Sequence, residues 1–144
     1  MKLFTIGFTK TKASQFFGRL EHAGVKQVLD TRLNRVSQLS GFAKQDDLRF
    51  FLSAISNVDY RVEQELAPTA DILDAYRKKD IDWPEYARRY VSLLSSIKVE
   101  ERLSSLDLDH VCLLCSEATS EHCHRRLAAE YLADSISGLT IKHL

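Results

Sequence analysis

The chain has 144 residues, 44% of them hydrophobic and 28% charged, the size and make-up of one ordinary globular domain. Its 20 basic residues balance 20 acidic ones, which excludes a protein held on nucleic acid by net charge alone and leaves room only for a local basic pocket. No apolar run approaches the ~20 residues of a membrane helix, and residues 1–7 lack a signal-peptide core, so a cytoplasmic protein with no membrane partner is expected.

Residues 3–7 (Leu-Phe-Thr-Ile-Gly) are β-branched and aromatic and stop at glycine, which predicts a strand. Apolar residues at Ala13, Phe16, Phe17, Leu20 and Ala23 have helical spacing, with Gly24 as the stop. Residues 25–31 are the second strand. Strand, helix and strand within about thirty residues form a βαβ unit, which requires parallel pairing. A polar stretch over 32–44, with Asn34, Ser37, Ser40 and Gly41, is too long for a plain connection.

Asp46 or Asp47 is the expected cap of a helix through Leu48, Phe51, Leu52 and Ile55. Residues 60–65 alternate as a third strand would, and 70–78 read as a helix. Asp82, with Pro84 in the first turn, opens a helix carrying Tyr86, Tyr90, Leu93, Leu94 and Ile97 on one face. Tyr and Trp in this region read as packing residues. A short helix over 99–106 precedes a nearly continuous apolar run over 110–115, as in a central parallel strand covered on both faces. The last long helix is expected over 120–133, capped by Ser120, and a final strand over 139–144. The fold class is therefore one three-layer α/β domain spanning 1–144, a mostly parallel sheet flanked by helices.

Ligands of open parallel sheets bind beyond the carboxyl ends of the strands. Three strand ends carry chemistry: Gly7-Phe8-Thr9, Asp30-Thr31-Arg32 and Cys115-Ser116-Glu117. They converge only if the three strands are adjacent. The three cysteines, Cys112, Cys115 and Cys123, fall within twelve residues. With no export signal they are expected to be reduced. Cys112 reads as a packing residue. Cys112 and Cys115 are an odd number apart, so a strand points them to opposite faces. Cys123 is expected in the first turn of the last helix, where N–H groups and the helix dipole favour thiolate.

Three readings of the cluster stand side by side. In the first, Cys115 or Cys123 is a nucleophile, His124 or Glu117 handles protons and Arg125 holds an anionic group. Asp30 then orients Arg32 or acts as a base, and Gly7, Thr9 and Arg32 help to bind substrate. In the second, Cys115, Cys123 and His124 or His122 hold a metal such as zinc. In the third, Cys123 packs while His124 and Arg125 satisfy carboxylates or strand-end carbonyls. A cysteine-phosphatase loop is excluded, because the arginine position after Cys115 is Glu121 and after Cys123 is Ala129. There is no GxGxxG, GK[ST] or Gly-x-Ser-x-Gly motif.

Thr5-Ile6-Gly7, Asp30-x-Arg32 and Cys115-x-Glu117 followed by Cys123-His124-Arg125 together resemble the domain of unknown function 488 family over about residues 3–132. The resemblance implies a compact α/β protein of the bacterial or archaeal cytoplasm, without a settled activity. It also implies that Gly7, Asp30, Arg32, Cys115, Glu117, Cys123, His124 and Arg125 are the shared polar set. Phe8 stands where members often have His, and Ser40-Gly41-Phe42-Ala43-Lys44 loosely resembles a middle segment of the family.

The functional expectation is a thiol-dependent enzyme acting on a phosphorylated or nucleotide-like anion. The alternatives are a nucleic-acid-binding or regulatory module using Arg32, Arg35, Lys44, Arg49, Arg125 and Arg126, and a Cys115–Cys123 thiol sensor. The sequence names no cofactor and no oligomeric state.

Overall fold

The computed structural model describes residues 1–36 and 39–144; Ser37, read as part of the polar stretch, lies outside them. The elements in chain order are β1 (Lys2–Ile6), α1 (Ala13–Ala23), β2 (Gln27–Asp30), α2 (Gln45–Ser56), β3 (Asp59–Val62), α3 (Ala70–Arg77), α4 (Trp83–Ile97), α5 (Val99–Arg102), β4 (Val111–Leu114), α6 (His124–Ser135) and β5 (Thr140–His143). Short 3-10 turns lie at Gly41–Ala43 and Gln64–Leu66.

Among the described residues the strands form one sheet of order β3-β2-β4-β1-β5, and every pairing is parallel. The strand period of two sorts the core into two layers. Phe4, Ile6, Val28, Cys112 and Leu114 face α1 and α2 and meet Phe16, Phe17, Leu20, Leu48 and Leu52. Leu3, Leu29, Val111 and Leu113 face the other way, toward Tyr90, Leu94, Val99, Ala128, Ala129 and Leu132 of α4, α5 and α6. The three-layer α/β architecture follows from this alternation. No helix is long and apolar enough to cross a membrane among the described residues.

Local signals set several boundaries. Gly24 ends α1 at φ 70°, a left-handed conformation glycine adopts without a Cβ penalty. Thr69 accepts from the Ile72 N–H to start α3, and Asp82 accepts from the Glu85 N–H to start α4. Several expectations differ from the structure, among them the short helix over 99–106, which ends at Arg102. The α2 helix begins at Gln45, so Asp46 and Asp47 sit in its first turn and interact with the helix dipole instead of capping it. The third strand stops at Val62 because a 3-10 turn takes over at Gln64.

The largest difference concerns the last helix. It starts at His124, not Ser120, and Cys123 is itself the N-cap in extended conformation, φ −134° and ψ 138°. The preceding residues stay irregular because their carbonyls are used elsewhere. Ser116 O accepts from Thr9, Glu117 O from Arg125 and Glu121 O from Arg126.

Cys112 lies fully buried among apolar side chains, and burial pushes its thiol up. Cys112→Ser is expected to cost about 1–3 kcal/mol, since it places a hydroxyl in that apolar layer. Urea unfolding would measure the loss. A variant as stable as the parent would mean the layer is wetter than its packing indicates.

Candidate functional site

The sheet order puts β4 between β1 and β2. The three chemistry-bearing strand ends therefore meet, and hydrogen bonds tie them together. The Cys115 N–H donates to Ile6 O at 3.2 Å, and the Thr31 N–H donates to Leu114 O at 3.0 Å. Thr9 Oγ1 donates to Ser116 O at 2.6 Å, and Thr31 Oγ1 donates to Leu114 O at 2.8 Å.

Gly7 permits the closest approach. A Cβ there would lie 1.6 Å from the Glu117 carbonyl oxygen and 2.6 Å from Arg125 Nη1. Arg125 is 1% exposed, and its Nη1 donates to Glu117 O at 2.5 Å and to Cys123 Sγ at 3.7 Å. Gly7, Thr9 and Arg125 thus shape and pin the loop after β4. The Glu117 side chain is exposed, and its backbone, not its carboxylate, engages Arg125.

Asp30 and Arg32 form a closed pair. Arg32 Nε donates to Asp30 Oδ1 at 2.8 Å, Nη2 donates to Oδ2 at 2.6 Å, and Nη1 donates to Ala43 O at 2.6 Å. Tyr60 OH donates to Asp30 Oδ2 at 2.5 Å, and the Phe8 ring lies 5.2 Å beneath the guanidinium. Both charges are buried, at 0% and 3% exposure, and each is compensated by the other. Phe8, which stands where members of the resembled family often have His, serves as a platform for Arg32.

The sulfur cluster occupies the centre. His124 Nε2 lies 2.8 Å from Thr31 O. A carbonyl only accepts, so that nitrogen carries hydrogen and Nδ1 is the nitrogen facing Cys115 Sγ, at 3.5 Å. The donor atoms of Cys115, Cys123 and His124 all lie within 4.8 Å of one another, and all three residues are buried. This trio could hold a metal. His122 stacks on Trp83 instead.

The Cys123 thiol donating to Cys115, the charge of His124 and a Glu117 backbone N–H hold the Cys115 thiol well below its ordinary range, against the opposing effect of burial. Cys123 moves up, because it keeps the shared proton and because it is buried. Burial disfavours the His124 cation, but attraction to Cys115 and the bonds to Cys115 and Thr31 outweigh it, and its pKa rises.

A cavity of about 350 Å³ lies against this cluster. Cys115, Cys123, His124 and Glu117 line one side, with Arg32 and Asn34 beside them. Tyr76 and Arg77 of α3, Tyr86 of α4 and His122 complete the wall. Gly7, Thr9, Asp30 and Arg125 are not part of its lining.

Sequence reasoning missed Tyr76, Arg77 and Tyr86. Their only signal was the density of aromatic residues over 76–90. Among the cations considered for nucleic acid, Arg32 and Arg125 are buried. Arg35 donates to Gln45 and Gln64, Arg49 covers Tyr60, and Arg126 pairs with Glu130.

An all-parallel α/β protein with a buried cysteine–histidine cluster at its central strand ends is the class that this geometry defines. The family model described as "Domain of unknown function DUF488" matches residues 12–132, and the chain belongs to that family. The match begins after the Thr5-Ile6-Gly7 segment. No curated protein and no solved structure matches the chain.

Gly7→Ala should destabilise the protein by about 1–3 kcal/mol, because the clash is with backbone and cannot relax by a rotamer change. Thermal unfolding would measure it. Unchanged stability would show that the Glu117 carbonyl has room to withdraw.

Proposed function

We propose that this protein is an enzyme that uses Cys115 as a nucleophile on a small anionic substrate. One observation carries the reading: Cys115 Sγ faces His124 Nδ1 at 3.5 Å while the opposite ring nitrogen is held by Thr31 O at 2.8 Å. Nucleophile, base and orienting group stand in the relation that activates cysteine in thiol enzymes. The orienting group here is a backbone carbonyl, which fixes the ring without adding charge.

In the reaction, the Cys115 thiolate attacks an electrophilic centre of the substrate and a covalent thio-adduct forms. The bond to the leaving group breaks with its electron pair, and the His124 Nδ1 proton passes to that group. Water or a second substrate then releases the adduct, with neutral His124 taking its proton. Arg77, exposed on α3, places a positive charge on the cavity wall. It is the group best placed to favour an anion.

Alkylation tests this reading. Cys115 should react with iodoacetate faster than Cys112 and Cys123, as located by peptide mass spectrometry. Its iodoacetate-to-iodoacetamide rate ratio should exceed that of free cysteine, and Arg77→Gln should lower the ratio. His124→Gln should slow Cys115 at least roughly tenfold. Equal, slow labelling of all three thiols would overturn the proposal.

The 3.5 Å sulfur–nitrogen contact also favours a second reading, a zinc site. Bonds of about 2.3 Å to sulfur and 2.05 Å to nitrogen at a tetrahedral ion give a ligand–ligand edge of roughly 3.6 Å. Cys115, Cys123 and His124 would hold the ion, which would supply Lewis acidity at the cavity. The Thr31 carbonyl would orient the histidine. Added cobalt(II) should then give thiolate charge-transfer and intense visible bands, lost in Cys123→Ser. Absent bands at excess cobalt would remove this reading.

A further inference from the structure

We propose that the cavity takes a nucleoside phosphate, its base lying on the Tyr76–Tyr86–His122 wall and its phosphate meeting Arg77. This deepens the reading of Cys115 as a nucleophile toward anions and rests on it.

The wall is built of rings held in a stack. The His122 ring stacks on Trp83 with centroids 4.9 Å apart and planes 26° apart. Trp83 stacks on Tyr86 at 5.3 Å and 24°, and Tyr86 continues to Tyr90 at 6.4 Å and 11°. Tyr76 lies 4.9 Å from Tyr86. Tyr86 and Tyr90 are buried, and Tyr90 presents an edge to His124 at 5.6 Å. One end of the stack therefore reaches the sulfur cluster, and the other ends at an exposed imidazole that lines the cavity.

Packing alone accounts for Tyr86 and Tyr90. It does not account for His122, a polar ring that is exposed and yet laid flat against Trp83. A planar ligand would find its stacking surface there, since every nucleobase offers a π face and stacking tolerates differences in sequence.

The polar groups fit the rest of such a ligand. Arg77 supplies charge for a phosphate, while the Arg32 charge is already matched by Asp30. Asp74 lines the same cavity and offers an acceptor to base amino groups or sugar hydroxyls. A negative Asp74 on the same helix as Arg77 also disfavours phosphate close to it, which directs the anion toward the Arg77 end. The volume, about 350 Å³, falls within the ~300–1,000 Å³ of small-ligand sites. It accommodates one nucleotide and not a duplex.

A free mononucleotide and the terminal nucleotide of a strand share this chemistry, and the test separates them. The only tryptophan in the chain, Trp83, sits in the stack and reports on it. Adenosine 5′-monophosphate, ribose 5-phosphate and a 5′-phosphorylated single-stranded tetranucleotide would each be titrated, with Trp83 fluorescence and Cys115 alkylation as readouts. The mononucleotide is expected to bind at least roughly tenfold tighter than ribose 5-phosphate, to quench Trp83 and to protect Cys115.

His122→Ala should reduce that preference at least threefold, and Arg77→Gln should weaken both ligands. A tetranucleotide that binds much more tightly than the mononucleotide would place the source at a strand end and uphold the same class. Equal binding of mononucleotide and ribose 5-phosphate, or a preference untouched by His122→Ala, overturns this inference while iodoacetate-selective Cys115 keeps the enzyme reading. Loss of that selectivity overturns the enzyme reading itself.

Discussion

The insertion of β4 between β1 and β2 is the constraint on which the site depends. Parallel pairing on both sides leaves all three strands pointing the same way. Their carboxyl ends then deliver Cys115, Thr31 and Gly7 to one place. The Thr31 carbonyl can reach His124 only because β2 is hydrogen-bonded next to β4. The Glu117 carbonyl can reach Arg125 only because Gly7, at the end of β1, has no side chain.

Charge at this sheet edge is handled in two ways. Asp30 and Arg32 are buried as a bidentate pair, with Tyr60, Ala43 and Phe8 completing the surroundings. Breaking such a pair leaves an uncompensated buried charge, which makes it a structural commitment more than a reactive one. The sulfur cluster is different. Its members share protons among Cys115, Cys123 and His124, so charge there can move. Burial works against both the Cys115 thiolate and the His124 cation, and their mutual attraction and hydrogen bonds oppose it.

The polar residues that the family resemblance grouped together therefore divide by role. Gly7, Asp30 and Arg125 build and hold the strand ends, and Arg32 both pairs with Asp30 and lines the cavity. Cys115, Cys123 and His124 face the cavity. Glu117 contributes through its backbone. The aromatic wall comes from α3 and α4, inserted between β3 and β4, and it is this insertion that gives the cluster a cavity instead of open solvent.

Much of the fold was legible in the sequence because it rests on local physics. The spacing of Phe16, Phe17 and Leu20 specified α1 to the residue, and Gly24 ended it. Asp82 and Pro84 marked the start of α4. The odd separation of Cys112 and Cys115 placed them on opposite faces, because side chains alternate along any strand. What depends on contacts distant along the chain was not legible. Ser120 has the right chemistry for a cap, yet α6 waits until Cys123, and the Glu121 carbonyl in between accepts from the Arg126 side chain instead of a helical N–H. Which ring nitrogen His124 turns to Cys115 is set by a carbonyl more than ninety positions away, Thr31 O. The sequence by itself determined the elements, the two faces of the sheet and the residues that carry chemistry. Tertiary structure alone decided strand order, the cavity and the proton arrangement, because each is made of contacts that no local pattern encodes.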